Sequence, residues 1–572
     1  MNSAAPKHPA YNKTTRIGSY TLIKAPDSNG TIGKRSLPNV GKIVWRVWLG
    51  PAGNGVRAAF AFTNDLYMYS WVRTSSTGTG MEILPSAEQY VDRKKNGRIA
   101  HNVIFLGIGQ IVSAGLGFIL NAALGRSLGP SDFGVFYTIL TIWSFVGFAI
   151  DWGQNPYVIR ELARGRSDEP EFVGSAMLIG TVGSACAAIM AAAIALVAGY
   201  DERIVYLAPL SVLIGIPSIL YLRFAYLFRG KDLMHIDVMV SIAGRALTVA
   251  ATVAVLQLGG GVGEAVLAQS VGGMGCLVIG TFIALKLGFK VRAPAYKVLR
   301  ELIWAGAPIV ASSMVAGLQP LIEVLILSHL AGPVVVGWYG ASRTISGLVF
   351  SPALILATAS LPELSRASLV VTELRRVLET TARPLLAAAA VSSSALYLFS
   401  HQLVAIIYGR GNFEQTSLIL QLGAIFLPVF FLGALLGTAV NVIGKTKELA
   451  LITWTNLITA AALNWFLIGI CQARFNNGAI ALVISSGLTE LLVVVSYIAL
   501  LPKGAVGKAT LLNIVRACIT SICTIASLSV VQSLELWFAG PLFILAFTVL
   551  ALATKLVLPS DFLVVLNFAR RG

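Results

Sequence analysis

LGRSLGPSDFGVFYTILTIWSFVGFAIDWGQNPYVIRELAR, residues 124–164, decides the fold because the chain repeats its pattern at residues 327–366. The second copy reads LSHLAGPVVVGWYGASRTISGLVFSPALILATASLPELSR. Each copy has a Gly-Pro pair, a further glycine, an apolar run of helix-spanning length and a closing Glu-Leu-x-Arg. The repeated residues are Gly129, Pro130, Gly134 and Arg164 in the first copy, and Gly332, Pro333, Gly337 and Arg366 in the second. Because the copies lie about 200 residues apart, they indicate two whole homologous lobes, an arrangement typical of secondary transporters.

The composition is that of a protein that crosses a membrane many times. The chain has 572 residues, 56% hydrophobic and 12% charged, with a mean hydropathy of +0.77. Soluble domains carry about twice that share of charge, so the predicted class is an all-α polytopic membrane protein. The net charge of +17 does not indicate nucleic-acid binding, because the basic residues form short clusters between apolar runs. The five cysteines lie inside apolar runs without metal-ligand spacing, so we predict neither a metal nor a cofactor.

Residues 1–98 differ from the rest of the chain. They are polar and basic, and they contain no apolar run of spanning length or signal-peptide type. Two interpretations remain open. One is a disordered cytoplasmic arm; the other is that translation begins at Met81, since the segment from Met81 to Asn102 is an ordinary basic approach to a first span. A peptide from residues 1–80 in the native protein would exclude the second.

Apolar runs of about 18–25 residues, the length that crosses the hydrocarbon core, predict about fourteen transmembrane helices. Six form an N-lobe at residues 99–288, six a C-lobe at residues 289–502, and two lie with a cytoplasmic tail in residues 503–572. If the chain starts in the cytoplasm, the inner loops hold about six times as many Lys and Arg residues as the outer loops. The outer loops hold only Arg126, Arg203, Arg410 and Arg474. This alternation predicts both termini on the cytoplasmic side of the membrane.

The loops and one short motif argue against an enzyme. No connection between the predicted spans is long enough for the catalytic carboxylates of a membrane glycosyltransferase or polymerase. Gly444-Lys445-Thr446 resembles the end of a phosphate-binding loop, but Ala439 replaces the required earlier glycine. We therefore predict neither an ATPase nor another catalytic activity.

Arginines within the predicted spans are candidates for a binding site. A charge at mid-membrane costs about 2.5–3.5 kcal/mol, so such residues face a bundle interior or a wet cavity. Arg245 lies near the middle of the fifth span, and Arg343 lies within the eighth. Arg223 lies nearer the inner end of the fourth span, from which its long side chain could extend to the interface.

The acidic residues of the spans have more than one interpretation. Glu323 lies at the same depth as Arg343 on the next helix, and the two would form a structural ion pair. Alternatively Glu323, or Glu490 near the middle of the twelfth span, couples transport to protons or Na⁺. Asp151, at the inner end of the second span, is predicted to pair with Arg160 or Arg164.

The repeat and its flanking residues resemble the polysaccharide transporter (Wzx-type flippase) family of the MOP superfamily, which also holds multidrug MATE exporters and lipid II flippases. The resemblance rests on LGRSLGPSDFGVF, Asp151-Trp152-Gly153 and ELAR in the N-lobe. In the C-lobe it rests on VVGWYGASRT, LPELSR and IIYGRGNFEQT, residues 406–416, and it covers about residues 99–557. It implies two six-helix lobes around a cationic cavity, and outward transport of an undecaprenyl-pyrophosphate-linked oligosaccharide.

Together these features predict a flippase that serves exopolysaccharide, capsule or O-antigen assembly by alternating access. Arg245, Arg343 and Arg223 would bind the pyrophosphate, because guanidinium groups hold phosphate strongly away from bulk water. The expected partners are the lipid-linked oligosaccharide, membrane lipid, and the polymerase and glycosyltransferases of the pathway, without nucleic acid. A cation-coupled multidrug (MATE-type) exporter is one alternative, and it would favour an acidic or aromatic cavity. A non-transporting membrane scaffold of a polysaccharide assembly complex is the other, although a scaffold has no use for intramembrane arginines.

Overall fold

A computed structural model describes residues 15–17, 20–22, 44–48, 56–63, 66–74, 81–83, 87–529 and 536–558. The chain divides into two compact units, Met1–His101 and Asn102–Gly572. The first unit holds the described strands, and the second holds the apolar helices.

Six short strands form two antiparallel sheets in the first unit. They are β1 (Thr15–Ile17), β2 (Tyr20–Leu22), β3 (Val44–Trp48), β4 (Val56–Thr63), β5 (Leu66–Thr74) and β6 (Met81–Ile83). β1 pairs with β2, and the other sheet has the order β3-β4-β5-β6. β4 and β5 are rich in aromatic and β-branched residues, which favour strands. Both interpretations of residues 1–98, a disordered arm or a start of translation at Met81, stay predictions.

The remaining described elements are helices, which confirms the all-α polytopic class for the second unit. They are α1 (Ala87–Asp151), α2 (Gln154–Ala163), α3 (Glu169–Val197), α4 (Glu202–Ile214), α5 (Ile216–Gly230), α6 (Met234–Gln257), α7 (Val262–Lys286), α8 (Tyr296–Ala367), α9 (Val371–Tyr408), α10 (Glu414–Val442), α11 (Thr446–Phe475), α12 (Ala479–Leu500), α13 (Lys508–Leu528) and α14 (Leu536–Ala553). Large apolar side chains on them are exposed, for example Ile189 (72%) and Phe466 (70%). Such surface suits lipid and is unusual in water.

The duplicated Gly-Pro pair divides α1 and α8 into two spans each. Gly129 has φ 70° and ψ 175°, and Gly332 has φ 82° and ψ 174°. A residue with a Cβ is strained at such a positive φ, so glycine ends the first span. Pro130 and Pro333 then supply a φ that suits the first turn of the next helix. The resulting segments are α1a (residues 87–128), α1b (residues 130–151), α8a (residues 296–331) and α8b (residues 333–367).

The number of spans agrees with the sequence. Within the described residues, eleven helices are long and apolar enough to cross a membrane, with α4 and α5 forming one of them. Two of the eleven are the double helices α1 and α8, and Trp537–Ala553 of α14 is a shorter apolar helix. These elements are compatible with about fourteen spans, and their division into six, six and two stays a prediction.

Contacts between helix ends agree with an alternating course of the chain. Arg203 and Asp132, both at ends predicted to be outer, form an ion pair of 2.9 Å. Lys231 and Glu169, both at ends predicted to be inner, form one of 2.5 Å. Ends predicted on one side therefore meet one another, and the cytoplasmic position of the termini stays a prediction.

The two lobes share an apolar core. One continuous cluster of buried residues includes Phe133 and Ile139 of α1b, Leu321 of α8a and Phe431 of α10. Because its members come from both lobes, the lobes pack against each other along α1b and α8. Of the predicted intramembrane charges, Glu323 and Arg343 lie at this seam, joined through Tyr339.

Candidate functional site

A group of polar and aromatic side chains, which we call the central cluster, joins the lobes at mid-span. Its members are Gln319 and Glu323 of α8a, Tyr339 and Arg343 of α8b, and Tyr137 of α1b. Glu323 is 3% exposed and accepts hydrogen bonds from the Tyr339 hydroxyl (2.6 Å) and from Nε2 of Gln319 (3.1 Å). The Tyr137 ring meets the Tyr339 ring edge-on, with centroids 6.4 Å apart. The cluster therefore links one N-lobe helix to two C-lobe segments.

Arg343 is the exposed member of the central cluster. Its guanidinium carbon lies 6.0 Å from the Tyr339 ring centroid, and the guanidinium interacts with the Tyr137 hydroxyl of the opposite lobe. Arg343 is exposed even though the other lobe reaches it, so its open side faces the cleft between the lobes. Among the ion pairs of the described residues, none joins Arg343 to Glu323, because Tyr339 lies between the two charges. The predicted direct ion pair is therefore replaced by a contact through a tyrosine.

The two tyrosines of the central cluster were not predicted. They carry no charge, and a search for ionisable residues in spans passes over them. The available signal was spacing: Tyr339 lies four residues before Arg343 and so shares its helix face. Tyr137 gave no such signal, because the repeat aligns it with Gly340, against which its ring packs.

Arg245 lies apart from the central cluster, on the face of α6 that meets α1a. Its Nη2 would lie 3.5 Å from a Cβ built on Gly117. Val238, seven residues earlier on α6, would meet a Cβ on Gly109 at 2.6 Å, so both residues share the α1a-facing side of α6. Arg245 is exposed, and no described ion pair includes it. The structure does not bring it into contact with the central cluster.

Arg223 is a structural residue rather than an exposed ligand. It is 1% exposed, and its Nη1 donates to Oδ1 of Asp151 (2.9 Å), which also accepts from the Tyr226 hydroxyl (2.7 Å). The predicted pairing of Asp151 with Arg160 or Arg164 is wrong: both of those arginines contact Glu161 instead. Arg160 and Arg164 belong to α2 and its end, from which their side chains reach only the local surface.

Glu490 of α12 is half-buried against α10. Its Oε1 would lie 2.0 Å from a Cβ built on Gly433, and Tyr497 lies against Gly437 one turn further along. The pair of small residues on α10 thus makes room for two polar side chains of α12. Glu490 forms none of the ion pairs found among the described residues.

At their outer ends, α1b and α8b touch through the repeat motif. A Cβ on Gly134 would lie 1.9 Å from the Pro333 carbonyl oxygen, and one on Gly337 would lie 2.0 Å from the Pro130 carbonyl oxygen. The two contacts are reciprocal, as expected for homologous helices about a two-fold axis. The outer mouth between these helices is therefore closed.

At their inner ends the lobes meet through a polar contact, which we call the inner contact. Arg166, between α2 and α3, pairs with Glu301 of α8a (2.5 Å) and with Asp168 (2.8 Å). The Tyr157 hydroxyl donates to Glu301 (2.8 Å), and the Trp152 indole N–H donates to the Ile303 carbonyl (2.9 Å). Hydrogen bonds from Arg166 hold the pKa of Glu301 and of Asp168 below their usual values. The lobes thus touch at both ends of the cleft.

The arginines that close each repeat lie at the surface, whereas Leu162 and Leu364 of the same motif are buried. Arg164 pairs with Glu161 (2.8 Å) with 65% of its side chain exposed, and Arg366 is also exposed. The two arginines therefore mark helix ends predicted to be inner.

Comparison with known proteins agrees with this geometry. The family of polysaccharide biosynthesis proteins matches residues 99–368. The lipid II flippase MurJ, in an inward closed conformation, superposes with a TM-score of 0.64 and 13% identity, over 81% of this chain and 100% of that one. An inward-facing multidrug resistance MATE family transporter of the MOP superfamily superposes with a TM-score of 0.58 and 13% identity, over 70% and 98%. No curated protein sequence matches the chain. The resemblance seen in the sequence is confirmed, and the structures establish the fold.

Proposed function

We propose that this chain, which over residues 99–368 belongs to the family of polysaccharide biosynthesis proteins, is a flippase for a lipid-linked oligosaccharide. The substrate class is an oligosaccharide on undecaprenyl pyrophosphate, moved outward across a bacterial inner membrane for exopolysaccharide, capsule or O-antigen assembly. Its pyrophosphate is anionic and its glycan strongly hydrated, so neither crosses hydrocarbon unaided. The fold is shared with a lipid II flippase, whose substrate has the same two chemical problems.

One observation carries the proposal: Arg343 is exposed at mid-span between the lobes, and among the described residues no carboxylate forms an ion pair with it. An arginine there carries its full charge, because the guanidinium does not deprotonate in proteins. Its planar donors match phosphate oxygens, and the low dielectric of the surroundings strengthens the attraction. The pyrophosphate would displace the Tyr137 hydroxyl and accept hydrogen bonds from the Arg343 guanidinium.

Arg245 is a second contact in this proposal. It lies on the α6 face toward α1a, exposed and without an ion pair among the described residues. A head group that enters between α1a and α6 would meet Arg245 before it reaches Arg343. Arg223 is left out, because its guanidinium already binds Asp151.

The lobes would move as two bodies around Arg343. Opening the inner contact admits the head group from the cytoplasm, and opening the reciprocal Gly-Pro contact releases it outside. Glu490 is the candidate for coupling to protons or Na⁺, since a carboxylate in the spans without a cationic partner is a site for a mobile cation.

The test is complementation of a flippase-deficient strain by variants of this chain. We expect Arg343→Ala to abolish polymer export and Arg245→Ala to reduce it, at normal protein levels in the membrane. Arg203→Ala is the matched control, because Arg203 forms an exposed pair with Asp132 at the outer surface and should export normally. Full export by Arg343→Ala would contradict the proposal, and export of drugs but not polymer would favour the MATE-type alternative.

A further inference from the structure

We infer that Glu323 and Tyr339 position Arg343 for the anionic head group, and that Glu323 does not carry a coupling ion. This inference rests on the proposed function and names two residues of the same site. It begins from the carboxylate, whose two oxygens already have partners. Oε2 accepts from the Tyr339 hydroxyl at 2.6 Å and Oε1 from Gln319 at 3.1 Å.

The burial of Glu323 and Tyr339 indicates a fixed structural pair rather than a binding site for a coupling ion. Glu323 is 3% exposed and Tyr339 is 4% exposed. A mobile cation would need open access, which a carboxylate that is 3% exposed does not offer, and it would compete with a hydrogen bond already made to each oxygen. Neutral donors bound to a buried carboxylate instead hold in place the side chains that provide them.

Tyr339 in turn restricts the orientation of Arg343. The two residues are four apart on α8b, and the guanidinium carbon lies 6.0 Å from the ring centroid, within the range of a cation–π contact. Tyr137 holds the other side of the Tyr339 ring edge-on. With its hydroxyl anchored on Glu323, the ring has one orientation, and so has the arginine beside it.

The arrangement also keeps the arginine available. A direct ion pair with Glu323 would occupy two guanidinium donors and compete with phosphate. With Tyr339 between them, the negative charge of Glu323 still favours the guanidinium within the spans, while no direct ion pair among the described residues competes with a ligand for its donors. Glu323 is therefore a positioning residue that acts through Tyr339.

Binding of geranylgeranyl pyrophosphate to the purified full chain in lipid nanodiscs tests this inference, with geranylgeraniol as the uncharged counterpart. We expect Tyr339→Phe and Glu323→Ala each to raise the Kd for the pyrophosphate by on the order of three- to tenfold, with no further loss in the double variant. Glu323→Gln keeps an acceptor for the Tyr339 hydroxyl, so the Kd of this variant for the pyrophosphate should be no higher than that of the native chain. Geranylgeraniol binding should not change in any variant.

The matched control is Tyr221→Phe, which removes a similar hydrogen bond from a buried tyrosine to Asp237 (3.1 Å), away from the central cluster. It should leave the Kd unchanged. Native affinity in both Tyr339→Phe and Glu323→Ala would overturn the inference, as would a Glu323→Gln variant that binds normally but exports nothing. If Glu323→Ala does not fold, Tyr339→Phe decides. Native affinity in Arg343→Ala would instead contradict the proposed function.

Discussion

Arg223 and Asp151 show how a buried charge is held inside the N-lobe. Arg223 donates to Oδ1 of Asp151 at 2.9 Å and to the Ile150 carbonyl at 3.2 Å, while its Nε has no partner among the described residues. The guanidinium also lies 5.5 Å from the Tyr226 ring centroid. A cation this deeply buried depends on its one carboxylate.

We predict that Asp151→Ala destabilises the protein by about 3–5 kcal/mol, because it leaves the Arg223 charge buried without a counter-ion. Thermal unfolding in detergent measures this effect. Glu161→Ala, which removes pairs with the exposed Arg160 and Arg164, should change stability by only about 1 kcal/mol. Equal effects of the two substitutions would contradict the structural role of the buried pair.

For single residues, the sequence predicted the depth along the spans but not the residues that each side chain contacts. Depth along the spans correctly placed Glu323 and Arg343 at one level, because both sit on helices with a fixed rise per residue. It could not show that Tyr339 separates them. The partner of Asp151 was also missed, because Arg223 lies 72 residues away and only tertiary packing brings it close.

Helices α1b and α8b are the elements on which the closed outer mouth depends. Gly134 and Gly337 each lie against the backbone carbonyl of a proline in the opposite helix, so neither position has room for a side chain. The sequence predicted this repeat and its helix breaks, because Gly-Pro chemistry is local. The reciprocal approach could not be predicted, since a glycine that ends a turn and one that admits a neighbouring helix look alike in sequence.

We predict that Gly134→Ala, and equally Gly337→Ala, separates the outer ends of α1b and α8b. The new methyl group would meet a carbonyl oxygen at 1.9 or 2.0 Å, and such overpacking costs about 1–3 kcal/mol. That cost disfavours the closed outer mouth by roughly tenfold or more. Spin labels on the two outer helix ends, in a cysteine-free background, would report the longer distance.

The control for this prediction lies in the same helix. Gly147 of α1b is helical and has nothing within 4 Å of a built Cβ, so Gly147→Ala should leave the distance distribution unchanged. An unchanged distance in Gly134→Ala would mean that the reciprocal contact does not hold the outer mouth closed.

The helices of the second unit form two lobes that touch at both ends, with Arg343 between the two contacts. The outer contact is backbone against backbone, and the inner contact is ionic. The sequence predicted two lobes from a repeat and from charge alternation, because lipid imposes length and loop charge on every span. It did not predict which ends touch, because that depends on the relative placement of the lobes.

The inner contact is expected to weaken as the pH falls. Arg166 holds the pKa of Glu301 below its usual 4.5 and the pKa of Asp168 below its usual 3.8. Because their pKa values are lowered, the ionised carboxylates stabilise the contact fully above the usual values of 4.5 and 3.8. This contribution is lost as the pH falls through the lowered pKa values. We therefore predict that labelling of a cysteine at the inner mouth, measured relative to a fully exposed reference cysteine, is constant from about pH 5 to 8 and rises only below about pH 4.5.

Glu301→Gln should raise that labelling at neutral pH, because the amide cannot form the charge-assisted pair with Arg166. Glu379→Gln is the control: Glu379 pairs with Arg375 (2.9 Å) within α9, so its loss should not open the mouth. A labelling midpoint between pH 6 and 7 would contradict the ionic contact as the inner closure and would point to a histidine. If the chain is the proposed flippase, binding of a head group at Arg343 would favour opening of the inner contact, so a bound head group and a broken Arg166–Glu301 pair should occur in the same state.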